Sequence, residues 1–319
     1  MRYVIYGAGA VGGTIGARLH DHGHEVVLIA RGRHLEALRN SGLRLQRPES
    51  DELLDVAVAA TPAEAGITAG DVVLLTMKSQ DTDAALGALA TSSPDDIPVV
   101  CAQNGVENER LALRRHARVY GMCVKLPATH LEPGVVQASG SPVSGILEVG
   151  RYPSGTDDVV DRMVLDLSAS GFIARAHHDV MRLKYHKLLM NLANAVEAVC
   201  GRAERRGELS RRARQEGVAV LAATGIEVAS DEEARQDAGL MTMEAVAGEP
   251  RSGGSTWQSL ARGTGSTEVD YLNGEIVLLG RLCGIPTPVN ELLRQEVHRL
   301  TREERPPGSI PAAELLAQL

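Results

Sequence analysis

A chain of 319 residues, 44% hydrophobic and 23% charged, has the composition of a globular protein with room for about two domains. A formal net charge of −8 disfavours nucleic acid and anionic membrane surfaces as partners. No apolar run approaches the roughly 18 residues of a membrane span, and the start lacks the basic lead and apolar stretch of an export signal. Cys101, Cys123, Cys200 and Cys283 are widely spaced with no CxxC. They are expected to be buried thiols in a reducing cytoplasm, not disulfides or metal ligands.

In chain order, short apolar runs alternate with helical patterns. Strands are expected at Tyr3–Tyr6, Val26–Ala30, Val72–Thr76 and Val99–Ala102. Helices are expected at Val11–Asp21, Asp81–Ala90 and Val106–Arg114. This alternation implies a doubly wound parallel sheet of Rossmann type, an α/β fold with both faces covered. "GVVQASGSPVSGILEVG" then adds two strands, followed by a helix near Thr156–Ala169 and a strand near Phe172–Ala176. From about His178 the pattern is helical. "RLKYHKLLMNLANAVEAVCG" reads as one long helix stopped by Gly201, and a second spans about Leu209–Thr224. In "STEVDYLNGEIVLLGRLCGIP", Val269, Leu272, Ile276 and Leu279 form one stripe. Thr267 would cap that helix, and Gly284 with Pro286 would end it. A boundary near 177 therefore separates an N-terminal domain, 1–177, from an all-helical domain, 178–319, whose apolar final helices suggest a homodimer.

The strand at the start runs into "GAGAVGG". A strand, then G-x-G-x-x-G, then a helix is the dinucleotide-binding arrangement. Gly7 permits the tight turn, Gly9 admits a pyrophosphate and Gly12 lets helix and strand pack. The backbone of Gly7, Ala8, Gly9, Ala10, Val11 and Gly12, at a helix N-terminus, would meet the phosphates. An NAD enzyme often carries an acid at the end of the second strand to bind the ribose 2′-hydroxyl. Here Ala30 is followed by Arg31-Gly32-Arg33. A guanidinium suits a 2′-phosphate, which favours NADP(H); the alternative is that both arginines are solvated loop charges.

Two later strands end in polar residues at the edge where such sheets bind ligands. "VVLLTMKSQDT" delivers Lys78, and "PVVCAQNGVENE" delivers Asn104. Lys78 suits a cofactor ribose or phosphate, or is an exposed loop lysine. Asn104 suits the nicotinamide ribose and a substrate, or is a turn residue before glycine. Lys187, Asn191 and Asn194 share a helical face at i, i+4 and i+7, amid Leu188, Leu189, Met190 and Leu192. Polar groups on an apolar helix need partners, which a ligand cleft or solvent would provide. Arg182 and Lys184 read as ordinary solvated charges. Glu268 is expected to open the last long helix, where the dipole would keep it ionised, as a hydroxyl acceptor or a plain first-turn acid.

Taken together, "GAGAVG", "MKSQDT", "QNGVEN", "KLLMN" and "TEVDYLNG", in this order from Gly7 to Gly274, resemble the ketopantoate reductase (2-dehydropantoate 2-reductase) family. The resemblance implies a Rossmann domain followed by a helical domain, with the active site between them, and NADPH-dependent reduction of a small 2-oxo acid. It makes Lys187 the catalytic acid and Asn191 a substrate ligand. Asn104 would lie between cofactor and substrate, Glu268 would touch both, and Ser255 or Thr256 would hold the substrate carboxylate. A further family asparagine would fall on Ala195, where the nearest amide is Asn194. A later one would fall near Arg205, in "RAERRGELSRRAR", a stretch read as a solvated helix surface. Another enzyme of the same architecture, or a non-catalytic dinucleotide sensor, would share the opening glycines.

Overall fold

Alternate residues of the first strand enter different cores. In β1 (Arg2–Tyr6), Tyr3 and Ile5 pack into one hydrophobic cluster and Val4 into another. The same division separates Val72 and Leu74 from Val73 and Leu75, and Val100 from Val99 and Cys101. A strand covered on both faces needs apolar residues at every position, hence the unbroken apolar runs.

The computed structural model describes residues 1–237, 239–249, 253–263 and 265–319. It forms two compact units, one of Met1–Met181 with Arg235–Arg251 and the other of Arg182–Ala234 with Ser252–Leu319. In the first, α1 (Ala10–Asp21), β2 (Val26–Ile29) and α2 (Gly32–Ser41) follow β1. Next come β3 (Leu43–Arg47), β4 (Ser50–Leu54), β5 (Ala57–Ala59), α3 (Pro62–Ala65), β6 (Asp71–Leu75) and α4 (Thr82–Ala90). The chain continues through β7 (Val99–Cys101), α5 (Asn108–Leu113), β8 (Val119–Lys125), β9 (Ala128–Thr129), β10 (Val135–Ala138) and β11 (Gly140–Ser141). It closes with β12 (Ile146–Arg151), α6 (Asp158–Ala169), β13 (Ile173–Ala176) and, from the later segment, β14 (Thr242–Met243).

The main sheet has the order β13-β12-β8-β7-β6-β1-β2-β5. Its pairs are parallel except β8 with β12. The six strands from β5 to β8 reproduce the 3-2-1-4-5-6 order of the dinucleotide fold, with the reversal between β1 and β6. A second sheet, β4-β3-β10-β9, packs on α1. There a Cβ on Gly13 would lie 2.7 Å from Val136 Cγ1, so the glycine permits the contact.

The expected boundary at 177 made no provision for Arg235–Arg251, which belongs with the first unit. β14 pairs with β11. Asp237, nearly buried, accepts from Lys125 Nζ at 2.6 Å and also bonds Arg175.

The second unit is helical. α7 (Val180–Asn191), whose first two residues belong to the first unit, is followed by α8 (Ala193–Cys200), α9 (Glu208–Ala223) and α10 (Asp231–Arg235). Then come α11 (Ser255–Ala261), α12 (Asn273–Cys283), α13 (Pro288–Arg302) and α14 (Ala312–Leu316). The single long helix expected across 182–201 is interrupted at Leu192, whose carbonyl accepts from Asn273 Nδ2 at 3.3 Å. Asn273 also donates to Asn290 Oδ1 at 3.0 Å. Asn290 in turn donates to the Ala213 carbonyl at 2.9 Å and to Glu216 at 2.8 Å. Glu216 takes the amides of Val289 and Asn290, at 2.8 and 3.0 Å, and so caps α13. Among the described residues no helix is long and apolar enough to cross a membrane.

Candidate active site

In the first unit the site is built on loops at the carboxyl ends of β1 and β6, where the strand order reverses. Gly7 has φ +112°, and a Cβ there would lie 2.6 Å from Met77 N. A Cβ on Gly12 would collide with Thr76 Oγ1 and the Gly7 carbonyl. At Gly9 a Cβ would meet nothing within 4 Å, so open space faces the backbone where a phosphate could approach. The Gly7 and Ala8 amides are spent on the Ile29 carbonyl, at 3.0 and 3.2 Å. α1 begins at Ala10, and the bond from Gly13 N to Gly9 O, at 2.7 Å, closes its first turn. The amides of Ala10, Val11 and Gly12 thus sit in the first turn, where helix geometry provides no acceptor. This donor set fits a pyrophosphate. His34 braces the loop through Nε2 and the Ala8 carbonyl, 2.7 Å apart.

Arg31 immediately precedes α2, and its side chain is 83% exposed. Its guanidinium donates to Asp81 Oδ2 at 2.8 Å. The loop after β6 thus brings a carboxylate to Arg31 beside the end of the second strand. Lys78, half-buried, ends that strand's loop, and Asn104, also half-buried, follows β7. Ser79 Oγ donates to the Asn104 carbonyl at 3.3 Å, and Asn108 Nδ2 donates to the same oxygen at 3.0 Å. Gln103 Nε2 reaches the Met77 carbonyl at 3.1 Å and Thr82 Oγ1 at 2.7 Å. These bonds fix the Lys78 and Asn104 loops against each other, and the sequence reading had not assigned them.

In the second unit, half-buried Lys187 lies on α7 and Asn191 ends that helix. Despite the interruption at Leu192, Asn194 Nδ2 lies 3.4 Å from both Asn191 Oδ1 and Ser255 Oγ. Thr256, the next residue, is buried. Asn191 Nδ2 is buried without an acceptor among the described residues.

Four expectations are corrected here. Glu268 does not open the last long helix. It precedes a 3-10 turn, Val269–Tyr271, while α12 begins at Asn273 and α13 follows it, so it does not stand at the N-terminus of a long helix. Thr267 does not cap α12; among the described residues its Oγ1 is buried without a partner. Lys184 is not solvated but only 3% exposed, and Arg182 donates to both carboxylate oxygens of Glu233, at 3.0 and 3.2 Å. Arg205 is not a plain surface charge. Its Nη1 bonds Asn194 Oδ1 at 2.7 Å and Glu197 Oε2 at 2.5 Å. Glu197, a carboxylate in the apolar run "NAVEAVC", was the sequence signal for it, because a buried charge needs a partner.

The sequence pattern of the family described as ketopantoate reductase PanE/ApbA matches residues 3–154, and its C-terminal counterpart matches residues 179–301. A 2-dehydropantoate 2-reductase of Archaeoglobus fulgidus is 33% identical over 301 residues, 92% of this chain and 95% of that protein. A PanE/ApbA family ketopantoate reductase from Ralstonia eutropha, solved as a crystal structure, superposes with TM-score 0.79 at 31% identity, covering 95% of this chain and 99% of that one. D-mandelate dehydrogenase, in a ternary structure with NADH and anilino(oxo)acetate, shares the fold with TM-score 0.81 at 23% identity, covering 95% of this chain and 99% of that one. The glycine turn on its Rossmann sheet, the helical second unit and the two matched segments agree: the chain belongs to the ketopantoate reductase family of oxidoreductases.

Proposed function

We propose that this protein is an NADPH-dependent reductase of a small 2-oxo acid, with 2-dehydropantoate, reduced to pantoate, as the favoured substrate. The observation that carries the reading is Asn191 Nδ2, buried beside Asn194 and without an acceptor among the described residues. A buried donor left unpaired costs about 1–3 kcal/mol, and the oxygens of a 2-oxo acid would satisfy it.

Bound NADPH would supply the hydride to the ketone carbon. The backbone from Gly7 to Gly12 would hold the pyrophosphate, Arg31 the 2′-phosphate, Lys78 a cofactor ribose or phosphate, and Asn104 the ribose nearer the nicotinamide. Lys187 would donate a proton to the ketone oxygen as it becomes an alcohol, its charge favouring the developing alkoxide. Asn104 and Asn191 would orient the ketone. Asn194, Ser255 and Thr256 would face the carboxylate, and Glu268 would accept from a substrate hydroxyl. In this reading residues 1–177, joined by 235–251, form the NADP-binding domain, and the remainder of 178–319 the substrate and dimerisation domain. Leu278 and Leu282, exposed one turn apart on α12, support a homodimer, and four cysteines outside any disulfide, Cys101 and Cys123 buried as expected but Cys200 and Cys283 only half-buried, support a reducing cytoplasm.

A second reading, reduction of a different 2-oxo acid, is favoured by one feature: where family asparagines are expected the chain has Ala195 and an ion-paired Arg205. Mixing the enzyme with NADPH and a panel of 2-oxo acids, followed by absorbance loss, tests both. The first expects the highest specificity constant for 2-dehydropantoate. A higher value for another acid selects the second, and no oxidation with any acid refutes both.

A further inference from the structure

We propose that Arg205 is a positioning residue that sets the hydrogen-bond polarity of the Asn194–Asn191–Ser255 group, so that it presents donors to an acceptor-rich ligand. This rests on the 2-oxo acid reading above. A guanidinium has donors only. The Asn194 atom 2.7 Å from Arg205 Nη1 must therefore be Oδ1, which turns Nδ2 towards Asn191 and Ser255. An amide nitrogen also only donates, so the atoms facing it, Asn191 Oδ1 and Ser255 Oγ at 3.4 Å each, act as acceptors. The ends left over are both donors, Asn191 Nδ2 and the Ser255 hydroxyl proton. Among the described residues Asn191 Nδ2 has no acceptor, and the Ser255 hydroxyl, accepting from Asn194 through its oxygen, keeps its proton for another partner. Without Arg205, the Asn194 amide could turn over and reverse the row.

The arginine is itself held. The Glu197 side chain is 4% exposed. One of its oxygens accepts from Arg205, and the other accepts the Gly254 amide at 3.1 Å. Gly254 immediately precedes Ser255, and a Cβ there would lie 3.0 Å from Glu197 Oε2, 3.3 Å from Asn194 Oδ1 and 3.4 Å from Arg205 Nη1. A bare backbone at 254 thus lets the chain close over the ion pair and carries Ser255 to Asn194. Carboxylate, guanidinium and amide form one ordered relay, ending at the donors that a ligand carboxylate or carbonyl would meet.

The test is binding of oxamate, an unreactive 2-oxo acid isostere, to the full chain saturated with NADP+, followed by calorimetry and by fluorescence of Trp257, the single tryptophan. Arg205→Met should weaken oxamate about tenfold or more, the cost of misplacing a hydrogen-bonding pair, with NADP+ binding unchanged. Arg205→Lys, which restores a donor, should recover most of the loss. In turnover, KM for the 2-oxo acid should rise with kcat largely kept. If the unpaired Glu197 prevents Arg205→Met from folding, the double variant Glu197→Gln/Arg205→Met removes the stranded charge and should show the same oxamate loss. Wild-type oxamate affinity in a folded Arg205→Met or double variant overturns this inference and leaves the reductase reading standing. No oxamate binding by the wild type overturns both.

Discussion

His34 joins two loops of the first unit through one neutral imidazole. The Gly134 amide can only donate, so His34 Nδ1, 2.9 Å away, accepts. The proton therefore sits on Nε2, which donates to the Ala8 carbonyl at 2.7 Å. The glycine turn that would meet the pyrophosphate is held from behind by a side chain 26 positions downstream. His34→Phe keeps the ring and removes both bonds, leaving a carbonyl and an amide unpaired. Destabilisation of about 1–3 kcal/mol and a several-fold rise in the dinucleotide dissociation constant are expected. Urea melts and NADPH fluorescence titration read the two effects, and unchanged values for both would show that the brace carries no weight.

The same residue predicts a pH effect. Burial lowers the His34 pKa from its ordinary 6.5, outweighing the opposing bond to Ala8. The unfolded chain therefore takes up its proton first as the pH falls. The stabilisation from neutral His34 is present above about 6.5 and is lost as the pH drops towards the folded-state pKa. A protonated Nδ1 would also face the Gly134 amide donor to donor. Urea midpoints for wild type and His34→Phe should converge between pH 7.5 and pH 5. Parallel curves across that range would contradict the assignment.

Arg31 and Asp81 make a second pair that can be tested. The ion pair is exposed on the arginine side, so it contributes little to stability, but it competes with a ligand phosphate for the guanidinium. Arg31→Ala should weaken NADPH by about 1.5–3 kcal/mol, the range of a charge-assisted contact, and leave NADH nearly unaffected. Asp81→Asn should tighten NADPH by about two- to fivefold, since only a surface pair is released. Equal affinities of wild type for NADPH and NADH would remove the 2′-phosphate role.

What could be read in the sequence was whatever depended on local pattern. Val72–Leu75 and Val99–Cys101 are apolar throughout because both faces are covered, and Gly7 and Gly12 mark sites where a side chain would strike Met77 or Thr76. What depended on distant partners could not be read. β3 and β4 escaped because their alternating polar residues, such as Arg44 and Asp51, pair across a hairpin. α2 was hidden in the polar run "GRHLEALRNS". The interruption at Leu192 coincides with a bond from Asn273, 81 residues on. Lys184 and Arg205 looked solvated because a lysine or arginine reveals its burial or its ion pair only through what packs against it.

Lys187 carries the proposed proton transfer. Lys187→Ala should cost roughly a hundredfold or more in turnover and leave NADPH affinity nearly intact. Buried Lys184 cannot serve as a neutral control. Arg211, which pairs with Glu208 one turn away on α9, suits that purpose, and Arg211→Ala should leave turnover unchanged. Near-normal turnover in Lys187→Ala would exclude the lysine as the acid.

Glu268 bears on substrate identity. A site that hydrogen-bonds a substrate hydroxyl rejects an analogue lacking it, because the buried partner is left unpaired. Glu268 is half-buried ahead of a 3-10 turn, and its carbonyl takes the Tyr271 amide at 2.9 Å. This fixes the backbone from which the carboxylate projects. Ketoisovalerate differs from ketopantoate by the loss of that hydroxyl, so its specificity constant should be lower by at least about tenfold, the equivalent of one hydrogen bond to a charged group. Glu268→Ala removes the group that enforces the difference. The gap should then narrow mainly by a fall for ketopantoate, with ketoisovalerate changing less. Two acids used equally well by the wild type would mean that Glu268 does not read the hydroxyl, and reduction of a different 2-oxo acid would become the better account. A wide gap that survives in Glu268→Ala would move the discriminating contact elsewhere, with Arg205 and its amide row the next groups to vary.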